Sequence, residues 1–306
     1  MTTALIIIAV LVAIACIISE AFLHFALSPG VKNTNEEEDP VFMSPENQEE
    51  RRRASAFLES ECCELEIVAR DGARLHASLF SNPSSHDWLV TVHGYKADRL
   101  CNGALYMHEA QRGVNCLIVS VRGHGKSTGK WLSMGLWESG DIELWCRHIL
   151  TLDKDARIFL HGVSMGGATV MMAAGRNIPH VVGVIEDCGY SSLYEEFSCQ
   201  LKAMFHLPTH PILDLVSLWC RLRLGFSFHD VEPARELGKT KIPMLFIHGD
   251  KDSFVPTRMV RQCVEAHKGL HEVWLPEDVS HAASLILCKE EYLDRVDAFM
   301  ASYLQS

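Results

Sequence analysis

The sequence predicts an α/β protein with a mainly parallel sheet covered by helices on both faces. Three observations carry that expectation. Short apolar runs recur along the chain and alternate with stretches of helical spacing, and parallel strands buried on both faces read as continuous apolar segments. The alternation is interrupted once, between about 190 and 237. Finally, Ile158-Phe159-Leu160-His161 runs through Gly162-Val163-Ser164-Met165-Gly166 into Gly167–Ala174, so a strand turns abruptly into a helix.

Taken in order, the chain starts with an apolar run from Ala4 to Ser19, which resumes after Glu20 as Ala21–Leu27. Together these make about 24 residues, enough to cross a bilayer as a helix. No Lys or Arg precedes the run and no small-x-small cleavage pattern follows it, so residues 1–27 are expected to be an uncleaved, single-pass anchor in the cell membrane. Lys32 is the only basic side chain close to either end, which leaves the side of the membrane open. Residues 28–55, rich in Pro, Asn and acids, are expected to be a solvated linker, with the globular domain covering 56–306.

Cys63–Val68 alternates as a half-buried strand, and Asp71-Gly72 turns it into a second one, Leu75–Phe80. Buried strands follow at Trp88–Val92, Asn115–Val121, Ile158–His161, Val181–Ile185, Met244–Ile247 and Glu272–Leu275. Helices are expected near 103–112, over Gly135–Leu150 and, closing the chain, near 289–304. The interruption carries Phe197, Leu201, Phe205, Ile212, Leu215 and Trp219 among prolines and basic residues. It reads as short amphipathic helices forming a cap over Ser164, with Phe205 and Trp219 as candidate substrate contacts in an apolar acyl pocket.

The net charge of −11 and the lack of a basic stripe argue against nucleic acid as a partner. Eleven scattered cysteines without a CxxC pair point to reduced, mostly buried thiols, and no metal site or cofactor is expected. His108-Glu109 and His271-Glu272 lack a second histidine four residues on, as a zinc peptidase would need. Ser120–Ser127 nearly spells a phosphate-binding loop, but Ser120 stands where glycine is required, inside an apolar strand.

A serine hydroxyl becomes a nucleophile when a base takes its proton and an acid holds that base in one tautomer. Two strand-to-loop segments offer these groups: His248-Gly249-Asp250-Lys251-Asp252 and Val279-Ser280-His281. The order Ser, Asp, His is the one expected on this type of sheet.

With His93-Gly94-Tyr95, Arg122-Gly123-His124-Gly125-Lys126-Ser127 and Asp187-Cys188-Gly189-Tyr190-Ser191-Ser192, these segments resemble the α/β-hydrolase superfamily. More narrowly, the chain is similar to bacterial membrane-anchored hydrolases related to serine aminopeptidases and monoacylglycerol lipases. The resemblance implies Ser164 as nucleophile, His281 as general base and acid, and Asp252 as its orienting acid. It places the oxyanion hole at the backbone N–H groups of Tyr95 and Met165. Asp250 is the competing acid, though its place beside Gly249 suits a turn. His93 and His248 are expected to brace loops. The expected activity is cleavage of carboxylic esters through an acyl-enzyme. The alternatives are a peptidase binding a free α-amine through Glu195 or Glu196, or a catalytically silent, membrane-tethered binding module.

Overall fold

The computed structural model describes residues 1–30 and 39–304. Lys32 and the linker acids Glu36, Glu37 and Glu38 lie outside the described residues.

Eight strands form one sheet in the order β1-β2-β4-β3-β5-β6-β7-β8. They are β1 Cys63–Val68, β2 Arg74–Phe80, β3 Asp87–Val92, β4 Asn115–Ser120, β5 Arg157–Val163, β6 Val181–Asp187, β7 Met244–Ile247 and β8 His271–Trp274. β2 pairs antiparallel with both β1 and β4, and every pairing from β4 to β8 is parallel. The central strands β4, β5 and β7 are buried along nearly their whole length, as continuous apolar runs demand.

Helices α3 (Gly103–Gln111), α4 (Leu136–Leu152), α5 (Met165–Ala174), α9 (Arg258–Ala266) and α11 (Lys289–Leu304) cover the sheet, joined by the short α8 (Pro233–Leu237) and α10 (Ser284–Leu287). They divide the core in two. One apolar cluster holds Trp145, Leu160, Met171 and Phe246, and the other holds Tyr106, Phe159, Tyr292 and Phe299. Between β6 and β7 the insertion supplies α6 (Leu193–Phe205) and α7 (Ile212–Leu224).

α1 (Thr2–Leu27) is one uninterrupted helix with two different surroundings. Residues 1–14 are exposed throughout, whereas Ser19, Leu23, Ala26 and Leu27 are buried against the domain. Phe22 meets Phe197 and Phe228, with ring centroids 6.0 Å and 6.5 Å apart. The Trp219 indole N–H donates to Glu20 over 2.7 Å, and the Leu27 carbonyl accepts the Leu132 N–H.

The expected linker needs correction. Residues 45–60 form a further helix, α2 (Pro45–Ser60), capped by the Ser44 hydroxyl, which accepts from Asn47 N–H. Serine before proline at the first helical position is a helix-start signal that outweighs the acidic composition. α2 buries Ala54 against α3 so closely that a Cβ on Gly103 would stand 2.5 Å from the Ala54 methyl.

Candidate active site

Ser164 sits at the bend between β5 and α5 with φ +56° and ψ −117°. That backbone is uncommon for a non-glycine residue and holds strain of about 1–3 kcal/mol. Its neighbours must be glycine. A Cβ on Gly162 would lie 2.1 Å from the Gly166 carbonyl oxygen, and one on Gly166 would lie 2.2 Å from that of Val92. The Ser164 N–H donates to the Asp187 carbonyl over 2.8 Å, fixing the turn against β6.

Loops after the last two strands reach this serine. His281 Nε2 lies 2.9 Å from Ser164 Oγ, and its Nδ1 lies 2.7 Å from Asp252 Oδ2. The other Asp252 oxygen accepts the N–H groups of Phe254 and Val255 over 2.9 Å and 2.8 Å. Burial alone would raise the Asp252 carboxyl, but His281 and His248 beside it outweigh that and hold it at about 2. It is therefore a carboxylate at neutral pH, as an orienter of imidazole must be. The Phe254 ring lies 4.9 Å from that of His281. The carboxylate on His281 Nδ1 is that of Asp252 and not of the competing Asp250, which does not line the cavity and has its side chain 4.0 Å from Lys251 Nζ.

The expected oxyanion groups flank the serine. Met165 opens α5, so its N–H has no carbonyl one turn back within the helix. Gly94 precedes Tyr95 so close to the serine that a Cβ there would be 3.4 Å from Ser164 Cβ. Two buried histidines brace this loop. His93 Nδ1 pairs with the Gly94 carbonyl at 2.8 Å and its Nε2 accepts the Val121 N–H. His124 Nε2 accepts the Lys96 N–H over 3.0 Å. Burial, with His124 nearby, pushes His93 down to about 3, so it is neutral and each ring nitrogen has a fixed role. His248 braces the opposite loop, with Nε2 2.8 Å from the Val255 carbonyl and 3.3 Å from Asp252 Oδ2.

Ser164 and His281 open into a cavity of about 930 Å³. Its walls correct the cap expectation. Phe42, Met43, Asn47 and Gln48 line it, together with Pro29, Gly30, Phe254, Leu285 and Ile286, while no residue of 190–237 does. Phe205 instead meets Phe25 at 5.8 Å, and Trp219 is bonded to Glu20. The inserted helices turn their aromatic faces to α1, whose docking cannot be read from a run that also suits a membrane. Glu195 is held by Arg258 at 2.9 Å and by Gln262, and neither it nor buried Glu196 lines the cavity. The segment 39–51 is what sequence reasoning missed, and Ser44-Pro45 was the available signal.

Three groups of possible metal donors occur among the described residues. Cys188, Asp252 and His281 include the pair already bonded to each other, and burial raises the Cys188 thiol well above its usual value. His86 with Asp153 and Asp155, and His108 with Glu109 and Asp297, lie outside the cavity lining. The Arg122–Ser127 segment is a tight turn: Arg122 forms a buried bidentate pair with Asp141, and Ser127 Oγ donates to the Ser120 carbonyl.

Residues 83–205 match the family model described as serine aminopeptidase, S33. The uncharacterized protein YqkD of Bacillus subtilis is 29% identical over 219 residues, covering 69% of this chain and 70% of that protein. A 2-succinyl-6-hydroxy-2,4-cyclohexadiene-1-carboxylate synthase of Salmonella arizonae is 29% identical over 122 residues, 40% of this chain and less than half (46%) of the synthase. An esterase of Pyrococcus furiosus superimposes with a TM-score of 0.66 at 21% identity, over 81% of this chain and 95% of its own. Est1E of Butyrivibrio proteoclasticus, solved with ferulic acid, gives 0.64 at 19% identity, over 79% and 100%. With its eight-stranded sheet, its serine turn and these matches, the chain has the α/β-hydrolase fold, and over residues 83–205 it is similar to the serine aminopeptidase S33 family.

Proposed function

We propose that the chain is a membrane-anchored serine hydrolase that cleaves carboxylic esters. The observation that carries this reading is the unbroken hydrogen-bond path Ser164–His281–Asp252 at a strained strand-to-helix turn. In this reading His281 Nε2 takes the hydroxyl proton as Ser164 Oγ attacks the ester carbonyl, and Asp252 stabilises the imidazolium. The N–H groups of Tyr95 and Met165 receive the developing oxyanion. His281 then gives its proton to the departing alkoxide, leaving an acyl-enzyme on Ser164. Water, deprotonated by the same imidazole, releases the acid. Phe42, Met43, Leu285 and Ile286 offer apolar surface for an acyl group.

The peptidase alternative draws on the description of the matched family. Its amine ligand is not provided by the cap carboxylates, since Glu195 is committed to Arg258 and neither Glu195 nor Glu196 lines the cavity. Parallel turnover of p-nitrophenyl esters of increasing chain length and of aminoacyl p-nitroanilides decides between them. Ester turnover that peaks at a defined chain length is expected. Anilide turnover without ester turnover would reverse the assignment, and turnover of neither would favour a silent binding module.

The membrane part of the proposal rests on α1, which is long and apolar enough to cross a bilayer. A removable signal sequence passes the same test. Against removal, Leu23 and Leu27 are fully buried in the domain and Leu27 accepts a hydrogen bond from Leu132, so cleavage after α1 would open the core.

A further inference from the structure

The inserted helices leave one apolar face that nothing among the described residues covers. α7 buries Leu213, Val216 and Cys220 against the domain and turns Trp219 to α1. Its outward side carries Leu215, Leu218 and Leu222, exposed by 46%, 55% and 73%. At spacings of three, four and seven residues they form one stripe. Single exposed leucines are ordinary, but a contiguous stripe marks a contact surface. Arg221 and Arg223 flank it with side chains more than half or half exposed, and among the described residues they meet the carboxylates of Asp230 at 3.9 Å and Glu20 at 3.7 Å. Phe205, 47% exposed, extends the apolar surface to Phe25 of α1.

What covers this face follows from its attachment. α7 is fastened to α1 through Trp219 and Arg223 on Glu20, just where the exposed apolar part of α1 begins. At ~1.5 Å per residue, Thr2–Ile18 spans about 25 Å, slightly less than the ~30 Å hydrocarbon core of a bilayer. The exposed apolar run reaches Ile18 and the domain is joined at Glu20, with no polar stretch of helix between them, so the domain sits up against the lipid with α7 foremost. A leucine stripe edged by arginines is what a helix lying at the headgroup boundary presents. The arginines also place local positive charge on a chain whose net charge is −11, which would otherwise be repelled by anionic lipid.

We propose that the Leu215–Leu218–Leu222 face of α7 is seated in the lipid leaflet next to α1, with Arg221 and Arg223 at the level of the phosphates. The proposal rests on reading α1 as a membrane anchor. It gives the domain a fixed orientation on the bilayer, one in which the cavity wall following Leu27 stays close to the lipid surface.

The test uses the full chain in phosphatidylcholine–phosphatidylglycerol vesicles, with a photo-cross-linker introduced singly as Leu222→p-benzoylphenylalanine, Ile8→p-benzoylphenylalanine or Lys154→p-benzoylphenylalanine. Lys154 lies in the turn before β5, with its side chain 88% exposed. Lipid adducts are read by mass spectrometry after irradiation, and Leu218→p-benzoylphenylalanine serves as a second probe of the stripe should the first variant misfold. Lipid adducts at positions 222 and 8 and none at 154 are expected. Adducts at 8 without any at 222 or 218 overturn the proposal and leave the anchor intact. Adducts at none of these positions overturn both. A cross-link from 222 to a second copy of the chain replaces the lipid with a dimer face.

Discussion

The inserted helices α6 and α7 and the segment 39–51 exchange the places that their compositions suggest. The first is apolar and aromatic, as a lid over an acyl pocket should be, yet it packs on α1 and contributes nothing to the cavity lining. The second is acidic and basic by turns, as a solvated tether should be, yet Phe42, Met43, Asn47 and Gln48 wall the cavity beside Ser164. Arg51 pins it to Asp98 at 2.7 Å, and Lys289 meets Glu50 at 2.5 Å. Composition reports how much of a segment is buried, but not against what. A wall needs only one inward face, and two residues ahead of a capped helix supply it.

That comparison can be sharpened first by removing the chemistry while leaving both regions intact. His281→Ala and Asp252→Asn should each lower kcat for a p-nitrophenyl ester by on the order of 10⁴, with thermal midpoints largely kept. A loss of only a few fold would shift the reaction away from this site. Next, the double substitution Phe42→Ala and Met43→Ala should raise KM for a medium-chain ester about tenfold at nearly constant kcat, because it removes binding common to ground and transition states. Phe205→Ala should leave KM unchanged. If Phe205→Ala instead moved KM and the double substitution did not, the two regions would return to their compositional roles.

A smaller effect joins the regions. The Tyr95 hydroxyl donates to the Phe25 and Ser28 carbonyls over 3.1 Å and 3.3 Å, so the loop carrying one proposed oxyanion N–H leans on the end of α1. Tyr95→Phe keeps the backbone N–H and should lower kcat by about three- to tenfold with little change in KM. Equal kcat would show that the loop is held by His93 and His124 alone. Trp219→Phe should cost about 1 kcal/mol of stability through its lost bond to Glu20, seen as a lower thermal midpoint with unaltered KM.

A further effect concerns pH. Glu186 is fully buried, beside His248 and Asp187, and its carboxylate accepts the Gly189 N–H. Burial raises its carboxyl from 4.5 to about 8. The folded state therefore holds this proton more tightly than the unfolded chain. Its contribution is fully present below pH ~4.5 and is lost as pH rises through about 8. Glu186→Gln should flatten the decline of the thermal midpoint over that window. An unchanged slope would mean that another group titrates there.

The sheet was legible because its strands are continuous apolar runs bounded by glycine and polar turns, and every expected strand lies within two residues of an observed one. Ser164, Asp252 and His281 stood out because each follows a strand in an order suited to this sheet, and the structure brings them within hydrogen-bonding distance. α9 escaped notice, as did α2, whose single buried residue, Ala54, leaves almost no apolar periodicity. The docking of Leu23 and Leu27 was hidden for the opposite reason. An apolar helix that continues from an exposed stretch into a protein interior carries no break in its sequence to mark the change.

The most direct measurement is intact-mass analysis of the full chain after reaction with a fluorophosphonate, followed by peptide mapping. One phosphonyl adduct on the peptide containing Ser164 is expected, absent in Ser164→Ala and strongly slowed in His281→Ala. An adduct that survives Ser164→Ala, or a folded native chain that takes up none, would contradict the account.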